Sequence, residues 1–292
     1  MANDLAFKGA DAKAPGVDGQ QRRRRATAGF LPALLPALLP ALLRDPWFLL
    51  LVALVALGLT WAVTGTTPEA VAALWHWSPA LLRGLAMNIQ ISLLAMALGT
   101  LVGLVIGALS LSPSWLLRRL TRAYVLLFRN APILVLVYFT TYVFPFELNL
   151  GGWYVPFPDW IKVVIGLGLP ASANVAEIFR GAIQSIPSAQ WEAAQSLAFK
   201  RTQIFRMVVL PQCVRRMLPS WMNLMASITM STSLASLVGV HDLVDTATVA
   251  SNTVARSDFT ILVYFTLLAL FFAYCYPIAR WTRYLERRHE HH

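Results

Sequence analysis

Polar side chains that interrupt long apolar runs are the residues of this sequence that could act on a small solute. Amides and hydroxyls make weak, exchangeable hydrogen bonds, and inside a membrane such groups usually face the interior of a helix bundle. The candidates that lie inside apolar runs are Asn88, Gln90, Asn130, Asn174, Asn223, Ser227, Ser231 and Ser233. Serine hydroxyls often bond the backbone of their own helix instead, so this alternative stays open for the three serines.

Known catalytic and metal-binding patterns are absent from the sequence. HExxH, GxSxG and GxxxxGK[ST] do not occur, so ATP hydrolysis by a P-loop is not expected of this chain. Cys213 and Cys275 lack metal-ligand spacing and are predicted to be reduced thiols, and the His-rich C-terminus is predicted to be a solvated tail. We expect no catalytic residue, no metal site and no cofactor bound by this chain.

Composition identifies the class of protein. Hydrophobic residues make up 57% of the 292 positions and charged residues only 13%, against about 25% charged residues in a soluble domain. Mean hydropathy is +0.59. These values exclude a soluble enzyme and predict an all-α polytopic membrane protein in contact with the lipid bilayer. The net charge of +10 fits basic cytoplasmic loops better than nucleic-acid binding, because no basic patch alternates with stacking aromatics.

Charge-free runs predict about six transmembrane helices, since a helix needs about 20 apolar residues to cross the hydrocarbon. The predicted spans are 47–65, 84–110, 124–144, 160–180, 219–240 and 259–280. Glu177 and Arg180, one turn apart in the fourth span, are predicted to form a structural pair. Gly99, Gly103 and Gly107 recur every four residues in the second span and predict close helix packing.

The distribution of basic residues predicts the orientation. With the N-terminus in the cytoplasm, 20 of the 24 Lys and Arg residues fall in cytoplasmic segments, as the positive-inside rule requires. Only Arg83, Lys162 and Arg256 fall outside. Both termini are therefore expected to be cytoplasmic. Residues 1–45, with four consecutive arginines and a Pro-Ala-Leu-Leu repeat, are predicted to be a largely disordered tail.

The longest predicted cytoplasmic loop, Arg180 to Met217, contains two short amphipathic segments. Ser188 and Thr202 are their candidate N-caps, and the second segment is expected to stop at Leu210–Pro211. The apolar side chains Trp191, Phe199 and Phe205 are too many for two short helices to cover. They could meet a partner protein, the lipid interface or their own bundle, and physical arguments alone leave these alternatives open.

Four sequence motifs resemble those of the permease subunits of ATP-binding-cassette importers, in particular the importers for polar amino acids. The loop sequence SIPSAQWEAAQSLAFKRTQIFRMVVLPQ is similar to the EAA loop of that family, with Glu192, Ala193, Ala194, Leu210 and Pro211 in register. The other motifs are LFRNAPILVLVYF, EIFRGAIQSIP and TSLASLVGVHDL. The likeness covers about residues 87–285.

The resemblance implies a five-helix type I importer core, at residues 84–285, in a bacterial inner membrane. An added N-terminal helix and periplasmic loop, residues 46–83, precede this core, and a cytoplasmic tail, residues 286–292, follows it. Implied partners are a cytoplasmic ATPase dimer that holds ATP and Mg²⁺, a periplasmic substrate-binding protein and a second permease subunit, identical or related. The imported solute would be a polar amino acid or a close relative.

The resemblance also implies which residues couple the permease to its ATPase. These are Trp191, Glu192, Ala193, Ala194, Leu197, Ala198, Phe199, Leu210 and Pro211, with Trp191 and Phe199 as wedges in a cleft of the partner. Glu192 is expected to stabilise the first turn of its helix rather than to pair with a partner arginine, although both roles are open. Ala198 replaces the family's glycine, so a left-handed turn there would be strained and the turn could take another shape.

A stand-alone secondary transporter or channel is the alternative function. Such a protein would be expected to show inverted repeats and broken helices with ion ligands near the midplane. The sequence shows no clear repeat.

Overall fold

The apolar runs form helices throughout the part of the chain that the computed structural model describes, which is residues 49, 68–150 and 153–289. The helices are α1 (Pro68–Ser110), α2 (Trp115–Asn130), α3 (Ile133–Val143), α4 (Asp159–Gln184), α5 (Ser188–Ser196), α6 (Arg201–Gln203), α7 (Leu210–Ser231), α8 (Leu243–Val254) and α9 (Ser257–His289). A π-helical turn, Ile204–Val209, precedes α7, and a 3₁₀ segment, Thr232–Val238, follows it. All but residue 49 belong to the compact unit formed by residues 57–292.

Five of the six predicted spans have counterparts among the described residues. Three helical stretches are long and apolar enough to cross a membrane by themselves: Glu69–Ser110, Asp159–Gln184 and Ser257–Ile278. Two more arise if each of two bent pairs counts as one span. The remaining predicted span, 47–65, and the N-terminal tail fall outside the described residues apart from Leu49. An all-α polytopic membrane fold is thus confirmed.

The first described helix is longer than the sequence predicted. Residues 68–83 were expected to form part of a periplasmic loop, but they are the first turns of α1. Pro68 occupies the first helical position, where its missing N–H costs nothing. The Ser78 hydroxyl donates to the Trp75 carbonyl, at 2.8 Å, which would otherwise lose its partner at Pro79. Packing of Leu81 and neighbouring side chains on α8 and α9 stabilises this extension.

The predicted span 124–144 is not a single helix. It is broken between α2 and α3, whose axes differ by 104°. Pro132 causes the break, because a proline has no N–H to donate and forces the preceding residue out of the helical region. Ala131 is accordingly extended, with φ −72° and ψ 135°.

A short β-hairpin that the sequence analysis did not anticipate connects α3 to α4. Its strands are β1 (Glu147–Leu150) and β2 (Trp153–Pro156), which pair antiparallel with Glu147 opposite Pro156. Beside it, the fully buried Lys162 side chain donates to Asp159 at 2.9 Å and lies 3.9 Å from the centre of the Phe146 ring. The aromatic ring and the carboxylate together compensate a buried cation.

Close packing of α1 against α4 forms the centre of the bundle. A β-carbon added to Gly99 would lie 2.6 Å from the Ala171 β-carbon, and one added to Gly103 would lie 2.5 Å from the Ser172 carbonyl oxygen. Only glycine permits this approach, so the predicted packing role of the glycine stripe is confirmed. Around this contact lies an apolar core that includes Ile91, Met96, Val137, Leu167 and Ile228.

Candidate functional site

The loop between α4 and α7 begins with a regular helix. Pro187, and not Ser188, is the residue that precedes the first helical turn, so the predicted Ser188 cap is wrong. Because Ser188 is the first helical residue, Glu192 is the fifth and lies in the second turn. The helix dipole acts mainly on the first turn, so the expected first-turn role of Glu192 is not supported.

The end of α5 is a left-handed turn at Ala198. Ala198 has φ +57°, and the Phe199 N–H donates to the Ala194 carbonyl at 3.2 Å while the Ala198 N–H donates to the Gln195 carbonyl at 2.9 Å. This pair of bonds defines a Schellman motif, which usually has glycine at the left-handed position. Of the two shapes that the sequence left open at this position, the chain adopts the left-handed turn, although alanine is strained in it.

A hydrophobic contact accompanies the Schellman motif. Ala194 is buried, and Phe199 is partly buried in the same apolar cluster, as is common for the residues that flank such a turn. The contact joins the end of α5 to a cluster that also contains residues of α4 and α7. It gives a reason why the turn persists without glycine, since a different turn would withdraw Phe199 from the cluster.

The second half of the loop differs from the prediction. Lys200, and not Thr202, is the N-cap residue of α6, so the predicted Thr202 cap is wrong. The Lys200 backbone N–H donates to the Gln203 side-chain oxygen at 2.8 Å. The helix also does not stop at Leu210–Pro211. It widens to a π-helical turn at 204–209 and continues directly as α7. A wider turn accommodates the ring of Pro211 and its missing N–H, so the chain proceeds without a break.

The underside of the loop packs on its own bundle. Ile204, Val209 and Cys213 are buried together with Phe179 of α4 and Ile186, which follows that helix. The side chains predicted to be exposed, which are Trp191, Phe199 and Phe205, are partly buried against this cluster. Packing on their own bundle therefore covers part of their apolar surface. The implied role of Trp191 and Phe199 as wedges in a cleft of the ATPase concerns the complex and stays a prediction.

Polar bonds fasten both ends of the loop to the same cluster. The Arg216 guanidinium donates to the Ser185 carbonyl at 2.7 Å, and the Gln212 amide donates to the Gln190 side chain at 2.6 Å. These bonds link α7 to the end of α4 and to α5. The loop is thus held as one platform on the bundle, which we call the loop platform (residues 185–212).

The outward surface of the loop platform is polar, with two strongly exposed large apolar side chains, Leu197 and Met207. Leu197 is 70% exposed, and Glu192, Ala193, Ala198 and Pro211 are also exposed. Leu210 is partly buried against the cluster. No described basic side chain lies within ion-pair distance of the Glu192 carboxylate. An exposed carboxylate without an ion partner among the described residues is available to a complementary partner surface.

The predicted polar residues of the spans do not converge on one site. Four of them bond backbone carbonyls three or four residues earlier in the chain: Asn130 to Leu126, Asn174 to Pro170, Ser231 to Ser227 and Ser233 to Met230. Gln90, Asn223 and Ser227 are exposed on the outside of the chain. The structure of the single chain therefore assembles no solute site from them.

Asn88 has a structural environment instead. It is fully buried, and its amide donates to Thr232 at 3.1 Å and to Asp242 at 3.0 Å, while its carbonyl accepts from the Leu243 N–H at 3.0 Å. Asp242 also caps α8 by accepting from the Asp245 N–H at 2.8 Å. Sequence reasoning missed this network because it considered Asn88 only as a candidate for acting on a solute, although an aspartate directly before a helix is a recognisable cap signal.

Charged groups in the C-terminal half of α4 pair as predicted. Arg180 makes two bonds to Glu177, at 3.0 and 2.7 Å, and Arg129 lies 3.7 Å from the same carboxylate. The structural pair Glu177–Arg180 is confirmed. Among the described residues no group of three His, Cys, Asp or Glu side chains could hold a metal ion.

Comparisons with known proteins agree with this arrangement. Residues 99–291 match the family described as "Binding-protein-dependent transport system inner membrane component". The octopine transport system permease protein OccM of Rhizobium radiobacter is 30% identical over 224 residues, which cover 74% of this chain and 90% of that protein. The "Probable amino-acid ABC transporter permease protein YckA" of Bacillus subtilis is 31% identical over 215 residues, covering 73% and 91%.

A solved structure of an amino acid ABC transporter with histidines superposes with a TM-score of 0.64 at 26% identity. It covers 74% of this chain and 97% of that one. The family match at residues 99–291 includes both the loop platform and the glycine contact. The chain therefore belongs to the family of inner membrane components of binding-protein-dependent transport systems, as a multi-pass permease subunit whose ATP hydrolysis lies in a separate subunit.

Proposed function

We propose that this permease imports a polar amino acid or a close relative, and that the loop platform docks on the ATPase that drives the import. The observation that carries the docking proposal is the Schellman turn at Ala198, which holds α5 on the bundle with Leu197 and Glu192 directed outward. Because the underside of the platform is fastened to α4 and α7, a displacement of α5 by the partner would reach those helices. The names of the relatives support the substrate class.

The unpaired carboxylate of Glu192 supports one of its two predicted roles. In the isolated chain it has no cation from the described residues, so a basic side chain of the ATPase would find an accessible partner. Leu197, at the C-terminal end of the same helix, supplies exposed apolar area for such a contact. ATP and Mg²⁺ would be held by the ATPase dimer and not by this chain.

A second permease subunit, identical or related, would complete the transport pathway. Asn223 and Ser227 are exposed one turn apart on α7, and Met230 on the same helix is 58% exposed. Pairing of two subunits over this surface would bring these side chains, and Gln90 of α1, into a shared interior. Both termini would be cytoplasmic, which the distribution of basic residues supports.

Reconstitution tests the proposed function. The chain is purified with its ATPase and reconstituted in liposomes, and ATP hydrolysis is measured with the substrate-binding protein and a panel of amino acids. We expect hydrolysis and uptake to rise with at least one polar amino acid and to require ATP. Uptake that follows an ion gradient and proceeds without the ATPase would instead support the stand-alone transporter.

A further inference from the structure

A basic cavity lies between the end of α1, the middle of α2 and the C-terminal half of α4. Its volume is about 210 Å³, and its polar lining is formed by Ser110, Arg118, Thr121, Arg122, Glu177 and Arg180. We call it the arginine cavity. A single water needs roughly 10–15 Å³ of such volume, so the cavity has room for a phosphate and the groups bonded to it.

The cavity has more positive charge than its own carboxylate neutralises. Glu177 is already occupied by two bonds from Arg180 and by Arg129 at 3.7 Å. No acidic side chain of the described residues pairs with Arg118 or Arg122. The Arg118 guanidinium donates one hydrogen bond to the Ser112 carbonyl, at 3.3 Å, and its other N–H groups are available to a ligand. Guanidinium groups match the geometry of phosphate oxygens, so the surplus charge favours a phosphate ligand.

The periodicity of α2 indicates where that phosphate comes from. Arg118, Thr121, Arg122 and Val125 follow the i, i+3, i+4, i+7 spacing of one helix face and all line the cavity. On the opposite face, the side chains of Leu116, Leu120 and Leu127 are 56%, 58% and 63% exposed. A basic face and an exposed apolar face on one helix are typical of a helix in the membrane interface, where phosphates lie next to acyl chains.

We propose that the arginine cavity binds a phosphate group, with the headgroup of an anionic phospholipid as its source and inorganic phosphate as the competing source. Arg118 and Arg122 hold the phosphate oxygens, while Thr121 and Ser110 supply neutral donors. The bound lipid holds α2 against α4 beside the Arg129–Glu177 contact. The site is independent of which solute the permease transports.

Lipid retention by the purified full-length chain tests the proposal. The protein is equilibrated in detergent with equal amounts of phosphatidylglycerol and phosphatidylcholine, and bound lipid is counted by native mass spectrometry. We expect selective retention of phosphatidylglycerol, reduced about five- to tenfold in Arg122→Gln and in Arg118→Gln, since each basic group near a membrane contributes of that order. Arg122→Lys, which retains the charge without the planar fork, should fall between.

Arg119→Gln is the matched control. Arg119 is on the same helix, is exposed and stacks on Trp115 at 5.2 Å, and it does not line the cavity. Its loss should leave retention unchanged. An equal fall in this control would overturn the proposal, because the lipid would then be responding to general surface charge. Unchanged retention in both cavity variants would overturn it as well.

A second arm separates the two sources of phosphate. Line broadening of inorganic phosphate in a phosphorus NMR spectrum is recorded for the protein in phosphatidylcholine alone. Broadening that is lost in Arg122→Gln, without selective lipid retention, supports the phosphate site and assigns it to the free ion. Selective retention without broadening supports the lipid. If the wild-type chain shows neither selective lipid retention nor phosphate broadening, the site is refuted. If Arg122→Gln fails to elute as a single species, Arg118→Gln replaces it in both experiments.

Discussion

The left-handed turn at Ala198 gives the sharpest test of the loop platform. Ala198 has φ +57° and an exposed side chain, so a substitution there changes the backbone cost and little packing. An L-residue in this conformation costs roughly 1–2 kcal/mol. Glycine removes that cost but adds about 0.4–1 kcal/mol of unfolded-state entropy. Ala198→Gly should therefore stabilise the turn by about 0.5–1 kcal/mol.

Valine at the same position should act in the opposite direction. A β-branched side chain at positive φ is a strong outlier, so Ala198→Val should open the turn and release Phe199 from its contact. The assay is retention of the ATPase on the purified permease. One kcal/mol corresponds to about a fivefold change in an equilibrium constant, and retention should rank Gly at or above Ala, and Ala well above Val.

A control with the same backbone geometry is available in the chain. Ala255, which ends α8, has φ +52° and is also exposed. Ala255→Gly should raise thermal stability to a similar extent while leaving ATPase retention unchanged. The reasoning is refuted if retention falls on going from Ala198 to glycine and valine is tolerated. That result would mean that a continuous helix passes through this position, where alanine is favoured over glycine by about 1 kcal/mol.

Three further predictions concern the loop, the orientation and the buried network. Glu192→Lys should leave membrane abundance and stability unchanged, because the carboxylate is exposed and has no ion partner among the described residues. Uptake and ATPase co-purification should nevertheless fall. Glu192→Gln controls for loss of charge, and full uptake by the lysine variant would contradict the docking role. A reporter active only in the periplasm should be on when fused after Trp153 and off after Gln195, and the reverse pattern would invalidate the orientation and the docking side. Asn88→Ala should lower the free energy of unfolding by about 1–3 kcal/mol, since it leaves Asp242 and the Leu243 N–H without their buried partner. Asn130→Ala is the control, because it loses only a bond to its own helix and should change thermal stability little. Equal effects of the two substitutions would refute a special role for Asn88.

Local chemistry was enough to predict much of this protein. Charge-free runs of about 20 residues predicted the five spans that have counterparts among the described residues, because the thickness of the hydrocarbon sets the length of an apolar helix. The glycine spacing at 99, 103 and 107 predicted a close contact, since residues four apart share a helix face. The Glu177–Arg180 pair followed from the same geometry. These features depend on neighbours within one or two turns, so the sequence displays them directly.

Tertiary contacts decided the rest. The sequence showed a proline at position 132, but the 104° angle between α2 and α3 depends on what each helix packs against. The turn at Ala198 could not be chosen from propensity, because the strain and the alternative helix differ by about 1 kcal/mol, and burial of Phe199 against α4 and α7 decides it. Asn88 was predicted to face a solute pathway, yet it binds Asp242, 154 residues away. A polar side chain in an apolar run must find a partner, and only the packed bundle determines which partner lies within reach.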